Sequence, residues 1–162
     1  MVVRLASPDE AEECWNIRNQ AIRYGCKGTY EISVIDAWTP ESMPGNYRKV
    51  IADNPFFVAD GNDGRPVATG FLDLQSGSVE AIFTLPEHTG RGLAGLIIDA
   101  IKNEARMRGF KRLILSSTPN AKTFYQKHGF ILVRESLYPS ALAQTELRCA
   151  EMVLELPPVY QG

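Results

Sequence analysis

Several residues and patterns that would define a class of protein are scarce in this sequence. Its 162 residues include 3 cysteines and 2 histidines. The cysteines are odd in number and widely spaced, so they predict neither a complete disulfide framework nor a CxxC metal clip. His88 and His128 stand far apart, which argues against a histidine-based metal site. We therefore expect no metal and a reducing, cytoplasmic location.

Charge and hydropathy argue against two further kinds of partner. Lysine and arginine number 17 against 19 acidic residues, giving a net charge of -2, and this balance offers no basic footprint for nucleic acid. No apolar run approaches the ~20 residues that a membrane-spanning helix needs. The opening MVVRLASPDE lacks the apolar core of a signal peptide. We expect one domain over residues 1–162, with no nucleic-acid or membrane partner.

Hydrophobic periodicity and turn residues predict the order of the elements. Ser7 and Glu10 form a capping-box pattern with a proline between them, which predicts a helix to about Tyr24. The segment 25–38 reads as irregular, and Thr39 as the cap of a following helix. Further helices are predicted at 47–52, from 93 to a glycine cap at 109, and at 119–127. Strands are predicted at 1–6, 56–59, 67–74, 78–85, 112–116, 130–133 and 148–156.

The stretch TGRGLAGL, residues 89–96, spells GxGxxG, a pattern typical of dinucleotide-binding folds. Such a fold places this loop after its first strand and needs an acidic residue about 20 positions later. Here several strands precede the loop, and FKRLIL at 110–115 has no acidic residue. The context excludes a nicotinamide site. It still predicts a phosphate-binding loop, because glycines admit close backbone approach and a helix start offers free N–H groups.

Two motifs resemble those of the GNAT superfamily of N-acetyltransferases. LPEHTGRGLAG at 85–95, before an amphipathic helix, resembles the family's acetyl-CoA motif, a strand ending in V-x-P followed by Q/R-x-x-G-x-G/A. AKTFYQKHGF at 121–130 resembles the family's A-x-x-[FL]-Y-x-x-x-G-F segment. Cys26, Tyr30 and Trp38 also resemble a bacterial subgroup with a Cys-Tyr-Trp loop. Thr89 departs from the usual Gln or Arg, and Thr118 stands where many members carry Asn.

The resemblance implies an α+β, three-layer α/β/α fold. Its mixed and mainly antiparallel central sheet would splay between the fourth and fifth strands. Acetyl-CoA would be the co-substrate, with its pantetheine arm in the gap and its pyrophosphate on the glycine loop. The residues implied to contact it are Ile82, Phe83, Thr84, Thr89, Gly90, Arg91, Gly92, Leu93, Ala94, Gly95, Asn120 and Phe124.

Acetyl transfer to an amine needs a base and an acid. A free alkylammonium has a pKa of about 10.4, so a base must take its proton. Glu80 is the candidate base, since strict alternation places Glu80, Ile82 and Thr84 on the less apolar strand face; the alternative is a solvated carboxylate. Tyr125 is the candidate acid for the CoA thiolate, and the alternative is a core tyrosine. Direct transfer is favoured over a cysteine intermediate.

These residues and the resemblance predict an N-acetyltransferase that passes the acetyl group from acetyl-CoA directly to a primary amine in a ternary complex. Tyr30 and Trp38 are implied to line the acceptor pocket, with plain packing as the alternative. We expect a small or amino-acid-like amine as acceptor, and we allow for a homodimer. Three alternatives stay open: a non-catalytic acyl-CoA sensor, an acetyltransferase acting on a protein amine, and an acyltransferase that uses a longer acyl chain.

Overall fold

The computed structural model describes residues 3–158, which form a mixed sheet with helices on both faces. The strands are β1 (Val3–Leu5), β2 (Phe56–Asp60), β3 (Pro66–Asp73), β4 (Ser78–Thr84), β5 (Arg112–Ser117), β6 (Ile131–Ser140) and β7 (Thr145–Glu155). The helices are α1 (Ala11–Gly25), α2 (Ile32–Trp38), α3 (Tyr47–Asp53), α4 (Leu93–Met107) and α5 (Lys122–Lys127). The sheet order is β1-β2-β3-β4-β5-β7-β6, and the predicted three-layer α+β architecture is confirmed. The predicted first strand began at Met1, and residues 1 and 2 lie outside the described range.

The start of α1 is fixed by the predicted capping box. The Ser7 hydroxyl accepts from the Asp9 backbone, and the Glu10 carboxylate accepts from the Ser7 backbone at 2.9 Å. Arg4 on β1 binds both Glu10, at 2.7 Å, and Asp60 on β2, at 2.8 Å. The arginine lowers the pKa of Glu10, chiefly by hydrogen bonding. The two ion pairs of Arg4 therefore hold the start of the helix against β1 and β2, at the edge of the sheet.

The segment after α1 is more regular than the sequence predicted. Residues 32–38, read as irregular, form α2, whose N-cap Glu31 makes no side-chain capping bond. Thr39 ends this helix rather than starting one, because its hydroxyl donates to the Ile35 carbonyl at 2.8 Å. A seven-residue helix without a side-chain cap has little local signal, and tertiary packing of Ile35 stabilises it.

The last two strands are longer than predicted and form one hairpin. β6 continues to Ser140 and β7 begins at Thr145, so the segment 134–147, predicted outside the strands, is mostly paired. β6 is an edge strand, and it includes Pro139 opposite Glu146. A proline cannot donate to a strand ladder, but an edge strand has one side that needs no donor.

Two apolar layers sandwich the sheet. Under α4 lies the larger cluster, which includes Leu72, Ile97 and Leu113. On the other face, α1, α2 and α3 cover two smaller clusters. Gly70 on β3 allows α4 to approach, because a Cβ there would lie 2.5 Å from side-chain atoms of both Ile82 and Ile97.

The sheet opens between β4 and β5, as predicted. These two strands run parallel and pair at Ser78 and Ile114, and β4 then continues without a strand partner on that side. The backbone edge of β4 from Val79 to Thr84 is thus left facing a gap. Within residues 3–158, no helix has the length and apolarity needed to cross a membrane.

Candidate active site

The glycine loop before α4 presents a row of free backbone donors. Gly90 and Gly92 have φ of 80° and 76°, a left-handed conformation that favours glycine. Among the described residues, the N–H groups of residues 90–95 have no hydrogen-bond acceptor, and the first bond of the next turn runs from Leu96 to Gly92. The 15-residue α4 adds the partial positive charge of its dipole. This is a geometry that binds an anion.

A groove of about 540 Å³ lies along this loop. It is lined by Thr84, His88, Thr89, Gly90, Gly92, Leu93, Ala94, Gly95, Leu96, Asp99, Phe124 and His128. Eight of the twelve residues predicted to contact a cofactor are among them. Thr89 donates its hydroxyl to the Pro86 carbonyl at 2.9 Å. Arg91 is exposed, with its guanidinium 3.4 Å from the His88 ring, so a cation stands beside the free N–H groups.

Gly95 faces a side chain rather than open space. A Cβ at this position would lie 2.9 Å from Cε1 of His128. The His128 ring in turn packs on Phe124, with centroids 4.6 Å apart. The glycine thus lets the start of α4 pack against the end of α5. His128 was not predicted as a site residue, because no local pattern placed it beside the loop.

A bulge in β4 divides the residues that strict alternation placed together. Ala81 has a φ of 55°, and the pairing with β3 shifts between Glu80 and Phe83. The Thr69 hydroxyl fixes the bulge by donating to the Ala81 carbonyl at 2.7 Å. The prediction that Glu80, Ile82 and Thr84 share one face is therefore wrong, because an extra residue reverses the alternation.

The side chains around the bulge contact two different layers of the fold. Ile82 packs against the core under α4, and Thr84 lines the groove. Glu80 lies opposite Phe71, which packs on the cluster under α1 and α3. Because directly opposed residues share a face, Glu80 points to the α1 side of the sheet. Phe83 packs on that side too.

The side chain of Glu80 is accessible to solvent, and its carboxyl group has a perturbed pKa. Ser78 donates its hydroxyl to Oε1 at 2.8 Å. The residue remains accessible to solvent, yet the protein around it raises the pKa of Glu80, mainly by desolvation, with the Ser78 hydrogen bond opposing. A carboxyl group whose pKa is raised toward neutrality is a better proton acceptor than an ordinary one.

Tyr125 is buried on α5, in the apolar cluster under α4. Its ring packs edge-on against Phe124, at 5.2 Å, and Phe130, at 5.9 Å. Burial raises the pKa of Tyr125, and the charge of Glu80 raises it further. Among residues 3–158 the Tyr125 hydroxyl has no hydrogen-bond partner. The structure thus brings the candidate acid and base within electrostatic reach of each other.

The aromatic residues implied for the acceptor lie on the α1 side. Tyr30 and Trp38 pack edge-to-face with centroids 5.9 Å apart. The Tyr30 hydroxyl donates to the Arg148 carbonyl on β7 at 2.6 Å, so it joins the α1–α2 loop to the β6–β7 hairpin. Asn120 lies apart from the groove residues. Its side chain meets the end of α1, where the Cys26 thiol approaches it at 3.7 Å.

The three cysteines are buried and unpaired. Burial raises the pKa of Cys14 to about 12 and that of Cys26 to about 11. Desolvation also raises the pKa of Cys149. Thiols with raised pKa values are poor nucleophiles near neutral pH, since the thiolate is the reactive form. In the described part of the chain, no three His, Cys, Asp or Glu side chains group as metal ligands.

Comparison with known proteins identifies the family. Residues 25–150 match the model of the acetyltransferase (GNAT) domain, so the chain belongs to the GNAT N-acetyltransferases. It is 31% identical over 86 residues to YjcF of Bacillus subtilis strain 168, an uncharacterized N-acetyltransferase, a match covering 52% of this chain and 60% of that protein.

Solved structures share the fold. A GCN5-related N-acetyltransferase from Rhodopseudomonas palustris superposes with a TM-score of 0.86 at 20% identity, over 96% of this chain and 95% of that one. The PaiA N-acetyltransferase from Thermoplasma acidophilum, in complex with coenzyme A, superposes with a TM-score of 0.75 at 15% identity, over 95% and 98%. The likeness extends over nearly the whole of each chain.

Proposed function

We propose that this protein transfers the acetyl group of acetyl-CoA directly to a primary amine of a small or amino-acid-like molecule. The observation that carries the proposal is the row of free N–H groups at residues 90–95 beside the opened edge of β4. The first feature suits a pyrophosphate and the second suits an extended pantetheine arm, which can hydrogen-bond to a strand edge. The coenzyme A complex of the Thermoplasma protein, which has the same fold, supports this assignment.

The cofactor residues divide into two groups. Backbone N–H groups from Gly90 to Gly95 would bind the phosphates, with the exposed Arg91 adding a positive charge. The backbone of Ile82, Phe83 and Thr84 would bind the pantetheine amides. An N–H at this edge would also stabilise the tetrahedral oxyanion, a contribution of about 2.7–4 kcal/mol in comparable sites. Thr89 and Phe124 would complete the walls of the groove, while Asn120 would have to turn away from Cys26 to reach the arm.

The base is Glu80. The acceptor arrives as an ammonium ion, and Glu80, directly or through a water, takes its proton. The free amine then attacks the thioester carbon. A bond forms between nitrogen and the acetyl carbon, and the carbon–sulfur bond breaks with its electron pair leaving on sulfur. The nitrogen loses its second proton as the amide forms, and this proton, passed through water, replaces the one that Tyr125 gives to sulfur. The raised pKa of Glu80 suits the step, because it brings the proton affinity of the carboxylate closer to that of the amine.

The acid is Tyr125. Its hydroxyl, unpartnered among the described residues, would protonate the departing thiolate as the carbon–sulfur bond breaks. The raised pKa of Tyr125 keeps the phenol protonated until that moment. Transfer is direct, since the thiols of Cys14 and Cys26 have pKa values well above neutral and lie in apolar clusters.

The acceptor lies on the α1 side of β4, with Glu80 and the aromatic pair Tyr30 and Trp38 around it. A non-catalytic acyl-CoA sensor would need the cofactor groove alone. The raised pKa values of Glu80 and Tyr125 favour chemistry instead, because perturbed pKa values of this kind cluster at catalytic sites.

The test is an acceptor screen with acetyl-CoA, read as CoA release and as acetylated product by mass spectrometry. We expect at least one small amine to be acetylated, with the rate lost in Glu80→Gln and lowered in Tyr125→Phe. A protein that binds acetyl-CoA but releases no CoA with any amine is a sensor, and the proposal is then wrong. If only peptide amines react, the acceptor is a peptide or protein amine and not a small molecule.

A further inference from the structure

Arg18 is a buried cation on the acceptor side of the sheet. It is 9% exposed and extends from α1, which packs over β3 and β4. Its guanidinium lies 4.2 Å from the ring centroid of Trp15 and 5.7 Å from that of Trp38. Trp38 contacts Tyr30, the other aromatic residue of the proposed acceptor pocket. The cation therefore lies among the residues that would surround an acceptor.

The described residues supply this cation with no anionic partner. None of the ion pairs within residues 3–158 includes Arg18. One nitrogen, Nη1, donates to the Asn19 side chain at 2.8 Å and to the Trp38 carbonyl at 2.9 Å. Nε and Nη2 donate no described hydrogen bond, yet they are not fully enclosed polar atoms. Two donor nitrogens of the guanidinium are thus left without a partner among the described residues, and neither is completely enclosed.

Local structure gives little reason for a charge at this position. The chain after α2 is already held on α1 by other donors. Trp15 and Asn19 both donate to the Pro40 carbonyl at 2.8 Å, and Arg23 donates to the Thr39 carbonyl at 2.8 Å. Burial lowers the pKa of Arg18 to about 10, so the group is still charged near neutral pH. Burying an unpaired charge is unfavourable unless something compensates it.

We propose that the acceptor carries a carboxylate, and that Arg18 binds this carboxylate through its free Nε and Nη2 while the amine reaches Glu80. This inference rests on the proposed function and narrows its substrate to small amino acids or related amino carboxylates. A planar guanidinium with two parallel N–H donors matches a carboxylate, and the tryptophan rings keep it in place by cation–π contact. Arg18 is then a specificity residue, since it touches the acceptor and not the reacting atoms.

The two tryptophans make a local reporter. The sequence has 2 tryptophans, and both lie under the Arg18 guanidinium. Titration of the protein with the proteinogenic amino acids other than tryptophan, in the presence of CoA to block turnover, is followed by tryptophan fluorescence. Each amino acid is paired with its decarboxylated amine, for example L-phenylalanine with 2-phenylethylamine. We expect at least one amino acid to change the signal saturably, and its amine partner to bind about 10-fold or more weakly.

Two variants sharpen the assignment. Arg18→Gln should abolish the difference between amino acid and amine, in binding and in KM, with melting temperature measured to confirm folding. Arg23→Gln is the matched control, because Arg23 lies on the same helix and holds the same segment through Thr39; it should keep the difference. If Arg18→Gln does not fold, the paired titration of the unaltered protein still decides the question.

The outcomes separate this inference from the proposed function. If decarboxylated amines bind and are acetylated as well as the amino acids, Arg18 has a structural role, the inference is wrong and the acetyltransferase assignment stands. If amino acids leave the fluorescence unchanged while other amines are acetylated, the inference is equally wrong. If no amine of either kind is acetylated, both fail together.

Discussion

The two sides of the splayed sheet present different kinds of group. On the side proposed to bind the cofactor, the glycine loop offers backbone N–H groups from residues 90–95, in an order set by one short sequence motif. On the side proposed to bind the acceptor, α1, α2 and the bulge in β4 contribute side chains from distant segments, among them Arg18, Trp38 and Glu80. Backbone donors suit a ligand common to a family, whereas side chains can change and select a particular acceptor. Substitutions on the two sides should therefore act differently, on cofactor binding or on catalysis and selectivity.

The largest effect is expected on the acceptor side, from Glu80→Gln. Removing the base should lower kcat by about 100-fold or more, with the Kd of acetyl-CoA unchanged. Because the base acts when deprotonated, the rate of the unaltered enzyme should rise with pH through the raised pKa of Glu80, and the variant should lose this step. Steady-state kinetics across pH, with calorimetry for acetyl-CoA, tests both statements.

Ser78→Ala is the matched control for the rising step in the pH dependence of the rate. Its hydroxyl donates to Glu80 and opposes the raised pKa, so its removal should shift the rising step to higher pH without abolishing it. A shift to lower pH, or a Glu80→Gln enzyme that keeps the step, would exclude Glu80 as the base.

A smaller loss is expected from Tyr125→Phe. A CoA thiol should resemble a cysteine of pKa about 8.5, so its thiolate leaves readily even without an acid. We expect kcat to fall about 10-fold or more. Single-turnover measurements isolate this step from product release. Full turnover in the variant would contradict the assignment of Tyr125 as acid.

On the cofactor side, Gly95→Ala should act through packing. Its new Cβ would lie 2.9 Å from the His128 ring, and overpacking of this kind destabilises a protein by about 1–3 kcal/mol. The displaced loop should bind acetyl-CoA more weakly, with kcat at saturation preserved. Calorimetry and thermal melting measure the two effects.

The double variant Gly95→Ala with His128→Ala tests the cause. It should regain the acetyl-CoA affinity lost by the single variant, because the clashing ring is gone. If it does not, Gly95 contributes to phosphate binding directly and not by admitting His128.

The smallest effect is expected from Arg91→Ala. The side chain is exposed, so solvent screens its charge and the Kd of acetyl-CoA should rise only a few-fold. The difference between variant and unaltered protein should vanish at high salt. A loss of two orders of magnitude would mean that the side chain, and not the backbone, holds the phosphates.

Local patterns predicted the start of α1, the glycine loop and α4, because their geometry follows from features close together in sequence. The capping box at Ser7, the amphipathic α4 and the glycines before it each determine the conformation of their own neighbours. The opening of the sheet between β4 and β5 was predicted from the family resemblance of the two motifs. These parts needed no knowledge of distant contacts.

The acceptor side was harder to predict, because its geometry depends on tertiary contacts. Ala81 adopts a positive φ without being glycine, held by the Thr69 hydroxyl across the strand pair, and no local pattern indicates such a bulge. The hairpin through Pro139 is tolerated only because β6 lies at the sheet edge. The buried cation Arg18 reads as a surface residue until α1 is packed on the sheet.

The central claim, that main-chain amides ahead of α4 bind the cofactor phosphates, is tested most directly by amide hydrogen exchange with and without acetyl-CoA. We predict that the amides of residues 90–95, which lack acceptors among the described residues, become strongly protected on binding. Acetyl-pantetheine, which lacks the nucleotide and its phosphates, should leave them unprotected. Unchanged exchange at these residues in the saturated complex would contradict the account.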